Sequence, residues 1–203
     1  MFGPAPDITT PATAFDGATV VYTSPTATDN LDPVVPVLCA PASGTLFPVG
    51  STTVTCTATD VAGNTATTSL VVTVTLADHQ GAMIGVGQIN GASRVTFTFF
   101  ARQASSGAER GWLTLAASRP RGLANTLVGV ALNDVVFLGT AVRFTGAGWW
   151  DAQAGHTFVV ESADNGEPGA GSDTFAVTIR NPQGVVVLQA SGVLSAGNVN
   201  KLQ

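Results

Sequence analysis

Charged side chains are scarce. Asp, Glu, Lys and Arg make up 10% of the 203 residues, against roughly 25% in an average soluble domain, so the surface has to be solvated mainly by Thr, Ser, Asn and Gly. Eight Lys and Arg stand against thirteen Asp and Glu, a net charge of −5. No basic stripe follows from that balance, which argues against nucleic acid as a partner. Long apolar runs are missing too. The longest are of four residues, such as Val185-Val186-Val187-Leu188, far short of the roughly 20 residues of a membrane-spanning helix, so no membrane insertion is expected. Catalytic signatures are absent: there is no Gly-x-Ser-x-Gly elbow, no His-Glu-x-x-His and no phosphate-cradling glycine loop. The two histidines, His79 and His156, fall in a linker and at a strand start. They suggest no catalytic centre, and the chain is expected not to be an enzyme. No basic segment followed by an apolar one precedes Ala5, so the chain reads as a mature piece or C-terminal fragment of a longer secreted protein.

What the chain has is Gly (23), Pro (11) and abundant Thr and Val, a composition of strands and turns. No stretch carries convincing helical apolar spacing, because the best, residues 108–117, contains Gly111 and has no clear cap. The fold class is all-β. In residues 5–76, strand-like runs at 18–23, 34–39, 52–60 and 69–74 alternate with turn signals at Ser24-Pro25, Asp29 to Pro33, Ala40 to Gly44 and Asp60 to Asn64. Such short strands at regular spacing suggest a sandwich. Cys39 and Cys56 each lie in one of these runs. They are either a disulfide, contributing about 3 kcal/mol by closing the intervening loop, or two buried thiols of an intracellular domain.

The segment closely resembles the hyalin repeat (HYR), an immunoglobulin-like extracellular module. The resemblance is carried by Pro25-Thr26-Ala27-Thr28-Asp29-Asn30, by the long motif from Phe47-Pro48-Val49-Gly50 through Cys56-Thr57-Ala58-Thr59-Asp60, and by Ala62-Gly63-Asn64-Thr65-Ala66. It implies an immunoglobulin-like sandwich over residues 5–76. With the composition it favours the Cys39–Cys56 disulfide, hence an oxidising, extracellular location. Many family members carry further cysteines near Thr10, Thr68 and Leu31; their absence here leaves one bridge.

The strand pattern breaks at residues 76–80. Beyond it, candidate strands fall at 83–90, 94–103, 111–117, 127–132, 135–144, 156–162, 174–180, 185–190 and 193–194. Val95-Thr96-Phe97-Thr98-Phe99 and Phe175-Ala176-Val177-Thr178-Ile179 alternate with period two, and Asn181-Pro182-Gln183-Gly184 is a hairpin turn. The pattern fits a second β-sandwich or a small barrel over residues 80–203. The sandwich is the expectation, giving two tandem β-sandwich domains. Gly85-Val86-Gly87-Gln88-Ile89, Gly155-His156-Thr157-Phe158, Asp164 to Phe175 and Gly192 to Asn198 resemble a C-terminal domain of bacterial secreted proteins, called post-COAP-1. That similarity implies architecture and almost no chemistry.

Three groups of side chains are candidates for binding. Calcium takes six to eight oxygens; Asp29, Asn30 and Asp32 in one turn and Asp60 and Asn64 in another form a first acidic set, and Asp164, Asn165, Glu167 and Asp173 a second. Asp and Asn also cap turns through their own backbone, and neither spacing is that of an EF-hand. Trp149 and Trp150 are adjacent, so on a strand only one enters the core and the other is free to stack on a sugar ring or partner side chain. Trp112 is expected in the core, and Arg119 and Arg121 in a solvated turn. The implied function is non-enzymatic adhesion or structural display at a cell surface or in a secreted matrix. Its partner would be a protein or polysaccharide at a cell surface. The alternatives are an accessory carbohydrate-binding module of a secreted enzyme and a self-associating subunit of a surface filament.

Overall fold

The structure is a computed structural model that describes residues 1–31, 34–76, 80–118 and 124–202. Asp32, His79, Arg119 and Arg121 lie outside the described residues. The described residues contain strands and no helix. The chain divides into two compact units, Met1–Ala77 and Asp78–Gln203.

In the first unit, β1 (Ile8–Pro11), β6 (Thr65–Thr75), β5 (Gly50–Thr59) and β3 (Val37–Ala40) form one sheet in that order. The short pair β2 (Gly17–Val20) and β4 (Thr45–Pro48) forms another. Strand β1 runs parallel to β6, with Ile8 opposite Val72; the remaining pairs are antiparallel. Val54, Cys56 and Ala58 face inward from β5, and Leu70, Val72 and Val74 from β6, while the intervening threonines face out. Against them β2 and β4 place Ala18, Val20 and Phe47. Strand β4 holds only four residues and ends at Pro48, yet its Phe47 is completely buried. Tyr22 packs edge-on against that ring at 6.4 Å and donates its hydroxyl proton to the Pro41 carbonyl.

The second unit resolves the choice between sandwich and barrel in favour of the barrel. Eight antiparallel strands run in chain order: β7 (Gly81–Asn90), β8 (Arg94–Gln103), β9 (Glu109–Ser118), β10 (Ala124–Leu138), β11 (Ala141–Trp150), β12 (Gln153–Ala163), β13 (Thr174–Arg180) and β14 (Val186–Leu202). Each pairs with the next, and β14 returns to β7, with Leu202 opposite Ala82 and Leu194 opposite Ile89. Full closure leaves no free sheet edge.

An eight-stranded barrel is just wide enough for side chains to fill it, and phenylalanines do so here. Phe97 and Phe175 stack at 3.7 Å between centroids; Phe99 lies 5.3 Å from Phe144, and Phe144 meets Phe158 edge-on at 6.4 Å. Glycines in the surrounding strands give these rings room. A Cβ at Gly85 would come within 2.3 Å of the Phe99 ring, and one at Gly146 within 2.3 Å of Phe158.

Strand boundaries depart from the hydrophobic pattern in three places. The expected runs 185–190 and 193–194 belong to one strand, β14, which continues to Leu202. The run 135–144 is divided at Gly139-Thr140 by a hairpin that pairs Leu138 with Ala141. The runs 127–132 and 135–138 belong to one strand, β10, irregular between Asn133 and Val136, where Asp134 takes a positive φ of 50°.

Candidate functional site

Cys39 and Cys56 face each other across β3 and β5 and are joined by a disulfide, with 4.0 Å between their Cα atoms. The bridge ties the short edge strand β3 to the centre of its sheet, and both cysteines are buried. Pro36 and Pro41 flank that strand, and β1 ends at Pro11. Proline has no N–H to offer an incoming strand, so both edges of this sheet are poor templates for pairing.

The first acidic set is built into turns. Asp60 accepts the Asn64 backbone N–H at Oδ1 (2.7 Å) and the Asn64 amide at Oδ2 (2.8 Å). The turn closes with Asp60 N–H to the Asn64 carbonyl, and Gly63 supplies the left-handed residue at φ 88°. The hydrogen bonds from Asn64 hold the Asp60 carboxyl below the usual carboxylate range. Asn30 turns its amide onto its own neighbour, Asp29, at 2.8 and 3.0 Å. Asp29, Asp60 and Asn64 do line one depression, of about 190 Å³, beside Phe2 and Val35.

The second acidic set surrounds one loop, between β12 and β13, and its oxygens are also engaged. Asp173 is completely buried; its Oδ1 accepts from Asn165 N–H (2.9 Å) and its Oδ2 from Val199 N–H on β14 (2.8 Å). Asp164 accepts from Gly166 N–H at 3.3 Å and from Lys201 N–H at 3.0 Å. Both Glu167 oxygens meet the Asn198 amide at 2.8 Å. The Asn165 amide donates to the Ser172 carbonyl, and the Ser172 hydroxyl turns back onto the loop's own carbonyls. These carboxyls therefore staple the loop to β14. Among the described residues, no group of three or more His, Cys, Asp or Glu lies close enough together to hold a metal ion. Of the residues expected to bind calcium, Asp60, Asp164, Glu167 and Asp173 direct carboxyl oxygens at N–H groups, Asn165 donates its amide within the loop, and Asp29 lines the depression beside Asp60.

The tryptophan pair divides as strand geometry requires. Trp150 enters the barrel core and is 7% exposed, which leaves it little surface on which a ligand could stack; Trp149 faces outward and is 53% exposed. Trp112 corrects its expected place in the core: it is 43% exposed. Leu113 and Leu115 are the inward residues of β9, so alternation sends Trp112 out. Trp149 pairs with Val128 on β10, and Val128 with Thr114 on β9, two residues beyond Trp112. The two indoles therefore share one outer face, two strand spacings apart (about 10 Å) and one side-chain repeat along the strand (about 7 Å). A groove of about 600 Å³ on these strands is lined by Val86, Thr96, Thr98, Thr114, Thr126 and Val128, among others, and neither indole belongs to its lining. None of its lining side chains is charged.

His156 is buried at the start of its strand run, with Nδ1 3.1 Å from the Gln153 carbonyl. The missed element of this site is Trp112. The signal was present in its neighbour, since an inward Leu113 forces it to the surface.

Residues 9–74, about a third of the chain, match the family model of the HYR domain. HYR domains are extracellular, adhesion-type modules without enzymatic activity. No curated protein and no solved structure matches the chain.

Proposed function

We propose that this chain is a non-enzymatic adhesion and display unit of a secreted or cell-surface bacterial protein. In it, the HYR-matching unit is a stiff extracellular module and the barrel its C-terminal companion. The observation that carries the reading is the Cys39–Cys56 bridge inside the HYR-matching segment. Such a bridge persists in oxidising compartments and is rare in the cytosol. The likeness of residues 82–199 to post-COAP-1 domains supports the bacterial, secreted context.

The acidic loops have a structural role in this reading, because their oxygens already accept backbone and amide protons. Filament assembly by strand addition is the weaker reading. The barrel offers no edge, and prolines blunt both edges of the four-stranded sheet of the first unit. The test is adhesion itself. Beads coated with the intact chain are expected to attach saturably to bacterial cell-envelope preparations, with attachment blocked by excess soluble protein. Attachment no greater than that of albumin-coated beads overturns the proposal.

A further inference from the structure

We propose that the outer face of β8 to β11 is where two copies of this chain pair, face to face, as a two-fold dimer. The pairing is independent of the adhesive role.

A two-fold interface must be complementary to itself, and charge is distributed on this face as that requires. Strands β8 and β9, with the loop between them, carry Arg94, Arg102 and Arg110 and one acid, Glu109, which accepts the Val135 N–H at 2.9 Å. Strands β10 and β11 carry Asp134, with Asp151 at the turn that follows, and one cation, Arg143, which faces Glu161 at 3.6 Å. One half of the face is therefore cationic and the other acidic. Arg102 and Arg110 lie directly opposite one another, with no ion-pair partner among the described residues. Like charges so placed weaken a strand pair, and a carboxylate from outside relieves them.

A two-fold axis running along the strands, between β9 and β10, lays each half on its opposite. Thr98, Thr114, Val128 and Trp149 form one row across the four strands. The axis reverses that row, so Val128 meets the partner's Thr114, and Trp149 meets the partner's Thr98, which lines the apolar groove. The indole is 53% exposed and stands outside its own groove; the dimer gives it the partner's to fill. The hydroxyls it covers are already engaged. Thr98 and Thr114 bond each other at 2.6 Å, and Thr96 donates to the Ala116 carbonyl at 3.4 Å, so burial strands little polar surface. At one end Arg110 comes against the partner's Asp134, which the bond from Val135 to Glu109 holds beside that strand end. At the other, Arg94 comes within a side chain's reach of the partner's Asp151. The centre is then uncharged and the charges lie at its rim, the usual anatomy of an interface. Barrel curvature opens a gap over β8 and β11, and the long side chains of Arg102 and Trp149 reach across it.

The experiment is sedimentation velocity of the intact chain from low micromolar to near-millimolar concentration. We expect a reversible shift from monomer to dimer and no larger species, because a two-fold interface closes on itself. The patch measures roughly 20 Å by 30 Å, short of the area of about 800 Å² per partner in a standard complex, so half-dissociation should fall in the micromolar range. Trp149→Ala should weaken association by about tenfold. Arg110→Glu should weaken it by a similar factor. That variant also gives Arg102 an opposite charge across the strands, so its thermal midpoint in dilute solution should not fall below the parent's. A lost interface is thereby told apart from a lost fold. Raised salt should weaken the parent dimer, whose rim charges are exposed.

Three results overturn the proposal: a monomer at every concentration, whether or not a glycan or another protein binds this face; a dimer that survives both Trp149→Ala and Arg110→Glu; or assemblies that grow beyond the dimer as concentration rises.

Discussion

The ring of Phe158 occupies the space that a side chain at Gly146 would need: a Cβ there would sit 2.3 Å from the ring and 2.4 Å from the Ala131 carbonyl. Two glycines, Gly129 on β10 and Gly146 on β11, thus form a niche for one aromatic ring of β12. A strand glycine ordinarily weakens a sheet; here it admits the ring that fills the barrel.

Gly146→Ala should therefore destabilise the barrel by about 1–3 kcal/mol, the usual cost of overpacking, even though alanine favours ordered backbone over glycine. Urea denaturation followed by tryptophan emission measures it, because all three tryptophans lie in the second unit. An unchanged midpoint would mean that the ring has another place to go.

The bridge gives a prediction for the other unit, which contains the only tyrosine, Tyr22. Replacing both cysteines by Ser or Ala should lower the stability reported by Tyr22 by about 3 kcal/mol. The tryptophan-reported transition should stay where it is. Equal shifts in both signals would contradict assigning the bridge's effect to the first unit.

Asp173→Asn tests the staple. An amide in place of the carboxyl keeps the size but turns an NH2 toward either Asn165 N–H or Val199 N–H, leaving a buried donor without an acceptor. The expected loss is about 1–3 kcal/mol, with faster hydrogen exchange at the amide of Val199 or Asn165. Chelator should leave the stability of the parent protein unchanged if the loop is held by these hydrogen bonds alone.

The Asp60 turn should respond to acid. Its folded carboxyl titrates below the unfolded one because Asn64 donates to it twice. Its contribution is therefore fully present above the unfolded value and fades as pH falls through the folded one. In an NMR titration the Asn64 amide resonance should move at a pH below the ordinary carboxylate range, and in Asp60→Asn that step should vanish. A midpoint at the ordinary value would remove the assigned hydrogen bonds.

Much of this architecture was legible in the chain, and the illegible parts share a cause. Val95 to Phe99 and Phe175 to Ile179 were readable because one face of each strand is core and the other is solvent, so period two survives in the residue types. The Phe47-to-Asp60 motif identified the first unit. Strand β4 left no such trace, since four residues ending in Pro48 are too few to show a period. The hairpin at Gly139-Thr140 was hidden because Val135 to Leu138 on one side of a two-residue turn and Ala141, Val142 and Phe144 on the other are apolar. Tryptophan size suggested a buried Trp112, but the parity set by Leu113 decides its side. The hydrogen-bonding role of the acidic loop was illegible for a different reason. The partners of Asp164 and Asp173 include backbone N–H groups of β14, more than twenty residues away in sequence, and backbone groups have no signature in a sequence.

The pairing of Ala82 with Leu202 has a consequence for how the protein is made. The first strand of the barrel must wait for the last, so during synthesis the barrel stays open, with two unpaired margins, until its final strand emerges. Contacts so distant along the chain are also slow to form. The first unit, whose strands are complete by Thr75, can fold while the second is still an open ribbon. A nascent chain stalled near Asn181 should thus carry a folded first unit ahead of a segment that chaperones still recognise as unfolded.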